Sequence, residues 1–79
     1  STPTRFELIN NWPQGTWHWR FSGPTSLSLD IPPGSTMTGE LLPVGTYSAI
    51  DWMDGAQGTN STPEIPPGGF ITARACPER

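Results

Sequence analysis

A chain of 79 residues, 33% of them hydrophobic, allows one domain with one small core. Its net charge of −3, with four arginines, no lysine and seven acids, argues against a phosphate-tracking surface and so against nucleic acid. No apolar run approaches the roughly 20 residues that a membrane helix needs.

The first predicted strand is Thr4–Ile9, where Phe6 and Leu8 alternate with Arg5 and Glu7. Asn10 to Gly15 is a loop rich in turn formers and carries Trp12. Thr16–Ser22 is the second strand, with Trp17, Trp19 and Phe21 on one face and His18 and Arg20 on the other. Gly23-Pro24-Thr25 turns the chain into Ser26–Ile31, a strict apolar/polar alternation. The pentapeptide Asp30-Ile31-Pro32-Pro33-Gly34 then predicts a type II turn, with glycine supplying the positive φ. It returns as Glu64-Ile65-Pro66-Pro67-Gly68, a reuse of one turn and not a duplicated domain.

Ser35–Leu42 reads as a weaker strand with Met37 and Leu41 on one side. Gly39 on that side implies a bulge or a close neighbour. Thr46–Met53 follows as one strand, Asp54–Pro63 as the longest irregular segment, and Phe70–Cys76 as the last strand. Proline and glycine interrupt every candidate helix. The expectation is an all-β domain, a small antiparallel sandwich or barrel of six to seven short strands, with Thr4–Ile9 and Phe70–Cys76 as edges.

The order Phe21-Ser22-Gly23-Pro24, Ile31-Pro32-Pro33-Gly34, then Leu42-Pro43-Val44-Gly45-Thr46-Tyr47-Ser48-Ala49 resembles small bacterial surface or lipoprotein β-sandwich domains. They carry a similar SGP…IPPG…LPxGTYxA march. The resemblance spans roughly Trp19–Ala49 and the closing Ile65–Ala73. It implies a sandwich fold and a non-catalytic appendage or binding module, and it transfers no functional residues.

Catalysis finds little to work with. His18 is the sole histidine and Cys76 the sole cysteine, and neither sits in a Ser-His-Asp or Cys-His spacing. A glycosidase needs two carboxylates across a sugar-sized cleft; Asp51 and Asp54 are near in sequence, but a chain this short has little room for such a cleft. Asp51 to Gly55 departs from calcium-loop spacing and reads as an Asp-Gly turn. No cofactor or metal is expected. Asn60-Ser61-Thr62 fits a glycosylation acceptor in a loop.

Four tryptophans in so short a chain need a reason. As core, Trp17 and Trp19 with Phe21 supply apolar mass. As a platform, indoles about 7 Å apart along a strand stack on successive sugar rings, with His18, Asn10, Asn11 and Gln14 bonding hydroxyls. Trp12 in its loop is the better candidate for exposure, and Trp52 sits beside two acids. The expected binding set is therefore Trp12, Trp17, Trp19, Trp52, His18 and Asn11.

With one cysteine there is no internal disulfide, and no His/Cys cluster offers zinc. A core of this size rarely contributes more than about 3–5 kcal/mol, so oligomerisation is the staple left. The first reading is a non-catalytic extracellular structural domain that self-associates into a homo-oligomer or filament. A lectin-like module for glycans is the alternative, and a capsid-decorating or accessory protein a further one. The polar, weakly charged composition suits export to the cell surface.

Overall fold

The computed structural model describes residues 3–41, 45–62, 64–65 and 68–77. Among them the regular elements are all strands, in the order β1 (Thr4–Asn10), β2 (Trp17–Ser22), β3 (Ser26–Ile31), β4 (Thr36–Leu41), β5 (Gly45–Thr46), β6 (Ser48–Met53), β7 (Thr59–Ser61), β8 (Glu64–Ile65) and β9 (Phe70–Ala75). They form a three-stranded sheet in the order β4-β1-β9, a four-stranded sheet in the order β3-β2-β6-β7, and a β5-β8 ribbon. No helix among the described residues is long and apolar enough to cross a membrane.

Alternation decides which way each strand faces. In β1, Thr4, Phe6, Leu8 and Asn10 are buried, while Arg5, Glu7 and Ile9 are not. Phe6 and Leu8 from the three-stranded sheet meet Trp17, Phe21, Ile31 and Ala49 from the four-stranded sheet in one core, together with Tyr47. Trp19, Leu27, Leu29, Met37, Ile71 and Ala73 pack around it, partly buried. The small size of the core is met by large rings. Trp19 stacks on Phe21 at 5.4 Å, and Phe21 meets Tyr47 edge-on at 6.3 Å.

The turn after β3 is the expected type II turn. Ser35 N–H donates to Pro32 O at 3.2 Å, and Gly34 has φ of 74°. Gly68 in the second copy also has positive φ, at 70°; its two prolines lie outside the described residues. Gly39 has the close neighbour that its sequence position implied. A Cβ there would stand 2.6 Å from Phe6 Cζ, so the absent side chain is the space that the Phe6 ring fills.

Five expectations need correction. The strand at Thr4–Ile9 is no edge: β1 lies between β4 and β9. The β1–β9 pair is parallel, with Phe6 opposite Ile71 and Leu8 opposite Ala73, so the fold is not wholly antiparallel. Thr46–Met53 is not one strand. The chain changes pairing partner at the fully buried Tyr47: Gly45–Thr46 (β5) pairs with β8, and Ser48–Met53 (β6) with β2 and β7. Asp54–Pro63 is not irregular throughout, because Thr59–Ser61 pairs with β6. That strand is wholly polar and exposed, which leaves no apolar period to detect. These short additions raise the number of β segments above the six or seven expected.

Candidate functional site

Strand β2 positions the most chemically loaded cluster. Its odd-numbered residues Trp17, Trp19 and Phe21 face the core, which turns His18 and Arg20 onto the outer face. Antiparallel pairing then sets His18 between Asp30 on β3 and Trp52 on β6. His18 Nδ1 lies 2.7 Å from Asp30 Oδ1, and Nε2 lies 2.6 Å from Asp54 Oδ1. A carboxylate only accepts, so both contacts are hydrogen bonds when both ring nitrogens carry protons, and the arrangement favours that imidazolium form. The imidazolium also stacks on Trp52, with centroids 4.9 Å apart and planes 21° apart.

Arg20 completes the cluster. Its Nη1 donates to Asp30 Oδ1 at 3.1 Å and to the Trp19 and Leu29 carbonyls at 2.8 and 3.2 Å. The guanidinium carbon lies 5.2 Å from the Trp52 ring centre, within cation–π range. Asp54 is held from two sides, since Thr16 N–H donates to Asp54 Oδ2 and Asp54 N–H donates to Thr16 O. His18 thereby ties β2 to β3 and to the turn after β6.

The electrostatics follow from these bonds. Hydrogen bonds donated by its ring to the Asp30 and Asp54 carboxylates raise His18 above its ordinary 6.5. The His18 bond lowers Asp30 below 3.8, reinforced by Arg20, and lowers Asp54 below 3.8, reinforced by the Thr16 amide. The two carboxylates are 53% and 55% exposed, so water screens the attraction and each pair contributes modestly. Chemically this is a latch, with every group already engaged inside the chain. No group of three or more His, Cys, Asp or Glu that suits a metal occurs among the described residues.

The six residues expected to bind are not brought to one place. Trp17 is buried at 5% exposure, and its Nε1 donates to Asp51 Oδ2 at 3.0 Å. Trp19 lies 5.4 Å from Trp17 in an edge-to-face contact, and its Nε1 is buried without a hydrogen-bond partner. Trp52 and His18 sit on the opposite face of the same sheet. Trp12 is half-buried beside Pro13, Met53 and Pro77 in a shallow depression. Asn11 is exposed and reaches Cys76 Sγ at 3.6 Å. Its neighbour Asn10, read as a loop residue, is fully buried, bonding the Gly15 and Ile31 carbonyls and accepting from Trp12 N–H.

Sequence reasoning passed over Asp30, Asp54 and Arg20. A signal existed, because a tight turn at Gly23–Thr25 sets Ser22 opposite Ser26 and therefore His18 opposite Asp30. Asp51 and Asp54, three positions apart in sequence, serve different faces: one bonds Trp17 in the core, the other His18 outside.

A second surface has the opposite character. Strand β9 ends the three-stranded sheet, and its backbone is unpaired on one side among the described residues. Phe70 at its start is 62% exposed, far above Ile50 at 36%, the other exposed large hydrophobic among the described residues. On the core side of β9, Ile71, Ala73 and Ala75 are only half-buried. Cys76 follows as an exposed free thiol.

No family model matches the chain, and no curated protein or solved structure is significantly similar to it.

Proposed function

We propose that the protein is a non-catalytic, extracellular structural domain, a small β-sandwich that self-associates through its open sheet edge. The observation that carries this reading is Phe70, 62% exposed on an edge strand whose backbone is paired with β1 on one side and with no described strand on the other. Such an edge is a template for another chain unless lysine, proline or inward charge guards it. Phe70–Ala75 contains neither lysine nor proline, and its inward row is Ile71, Ala73 and Ala75. The cluster around His18 supports the same choice, because both of its imidazole nitrogens and both of its carboxylates are already engaged within the chain.

The test is molar mass by light scattering over a hundredfold concentration range, with melting followed on the same samples. Association predicts a mass above the monomer and a melting temperature that climbs with concentration. A monomer with a concentration-independent melting temperature would remove the reading.

A second reading, a lectin-like module, draws on Trp52. This half-buried ring lies on an outer sheet face among His18, Arg20 and Asp30, a pairing of aromatic surface and hydrogen-bonding groups that suits a pyranose. It requires a glycan to quench tryptophan fluorescence in wild type and to lose that effect in Trp52→Ala.

A further inference from the structure

The backbone of β9 specifies more than an open edge. Arg5 N–H donates to Gly69 O at 3.0 Å, and Asn11 N–H donates to Ala75 O at 2.8 Å. A strand residue turns its own N–H and C=O to the same side, and successive residues alternate. Gly69, Ile71, Ala73 and Ala75 therefore spend their peptide groups on β1. Phe70, Thr72 and Arg74 turn theirs away, toward the open side.

We propose that β9 pairs antiparallel with β9 of a second copy, about a two-fold axis through Thr72. This deepens the self-association reading and rests on it. In that register Thr72 faces Thr72 of the second copy, and Phe70 faces its Arg74. Each facing pair carries outward N–H and C=O groups and exchanges two N–H···O bonds. Directly opposed residues share a face, so the exposed Phe70 ring lies beside an arginine guanidinium at both ends of the seam, a cation–π pair. Ile71 faces Ala73 on the core side and extends the half-buried row across the junction. The two three-stranded sheets become one sheet of six.

The complementarity belongs to this strand. The other long edge strands, β3 and β4, carry an acid each, Asp30 and Glu40, and no cation. Arg74 is the only charge in β9, and the Thr72-centred register keeps the two copies of it apart, each against a phenyl ring. The interface is isologous, which closes at two copies.

Thr72→Cys in a Cys76→Ser background tests the register, because a hydrogen-bonded antiparallel pair has Cα atoms about 5.5 Å apart, within disulfide reach. Mild oxidation should convert most of the Thr72→Cys protein to a covalent dimer. The wild type, whose Cys76 lies four residues from the axis on each copy, should stay unlinked. Thr72→Pro removes an N–H that β1 does not use, so it should shift the mass to monomer while leaving the strand-rich circular dichroism unchanged. Dimers that form without Thr72→Cys cross-linking, or that link through Cys76, would overturn the register and leave self-association standing. A wild-type monomer at every concentration would overturn both, and a Thr72→Pro dimer would exclude this edge.

Discussion

The outer face of the four-stranded sheet and the edge of the three-stranded sheet make opposite use of polar groups. Around His18, two carboxylates, a guanidinium, an indole and a backbone amide contact one another within one chain. Along β9 the side chains are plain, yet Phe70 is 62% exposed and one side of the backbone is unpaired among the described residues. The cluster looks like a site because its residue types are those of active sites. The edge looks like nothing in particular. A group that is already bonded stabilises the monomer, whereas a group left unbonded defines where a partner gains most. On that criterion the plain edge is the surface we propose as functional, and the ornate cluster is proposed as scaffolding.

The largest effect expected from breaking this arrangement comes from Gly39→Val, which attacks the sheet that presents the edge. A Cβ 2.6 Å from Phe6 Cζ forces the buried ring off its position in the core. Overpacking of this kind costs about 1–3 kcal/mol, and the branched side chain belongs at the upper end. Urea denaturation should show the midpoint fall; an unchanged midpoint would mean that Phe6 has room to yield. Gly34→Val comes next. No atom lies within 4 Å of its would-be Cβ, so the penalty is backbone strain at φ of 74° alone, about 1–2 kcal/mol. Equal stability in the variant would exclude a left-handed residue at that corner.

The latch should show itself through pH. His18 is raised above 6.5 in the folded chain, so its contribution is complete below about 6.5 and is lost as pH climbs through the higher folded value. Asp30 and Asp54 are lowered below 3.8, so theirs is complete above about 3.8 and is lost as pH falls through the folded values. Melting temperature should form a plateau between those limits and decline on either side. His18→Gln should remove the alkaline decline and leave the oligomer intact, because the latch is not the seam. A wild-type melting temperature flat from about pH 5 to 8.5 would show that the imidazolium contributes nothing.

How much of this was readable from sequence depends on how local each feature is. The alternation in β1 to β4 and the Pro-Pro-Gly turn each lie within a few residues, and each is found as expected; at Gly39 the local pattern implied a close neighbour, but not that Phe6 on the paired strand β1 is that neighbour. The parallel β1–β9 pair joins the two ends of the chain, and nothing in Arg5–Ile9 or Phe70–Arg74 alone encodes that partner choice. The His18 cluster is an intermediate case. Asp30 is 12 residues away across a hairpin whose register follows from its turn, so that contact was derivable. Asp54, 36 residues away and reached through the second neighbouring strand, was not. Trp17 and His18 were correctly put on opposite faces, but which face carried the core could be argued only from composition.

The smallest predicted effect isolates one remaining unpartnered group, inside the core and not at an edge. Trp19 Nε1 is buried with no acceptor, while Trp17 Nε1, one strand pair along the same face, bonds Asp51. An unmade hydrogen bond costs about 1–3 kcal/mol of desolvation, and a bond to a charged acceptor contributes about 1.5–3 kcal/mol. Trp19→Phe removes the orphaned donor and keeps an aromatic ring to stack on Phe21, now 5.4 Å away. The loss of indole surface and the relief of the buried N–H oppose each other, so the net change should stay within about 1 kcal/mol. Trp17→Phe loses similar surface and also strips Asp51 of its donor, so it should destabilise by at least about 1 kcal/mol more. Chemical denaturation of the two variants at one protein concentration gives the difference directly. Equal losses would mean that burial of the ring alone sets the value of each tryptophan, and that hydrogen-bond satisfaction cannot rank the surfaces of this chain either.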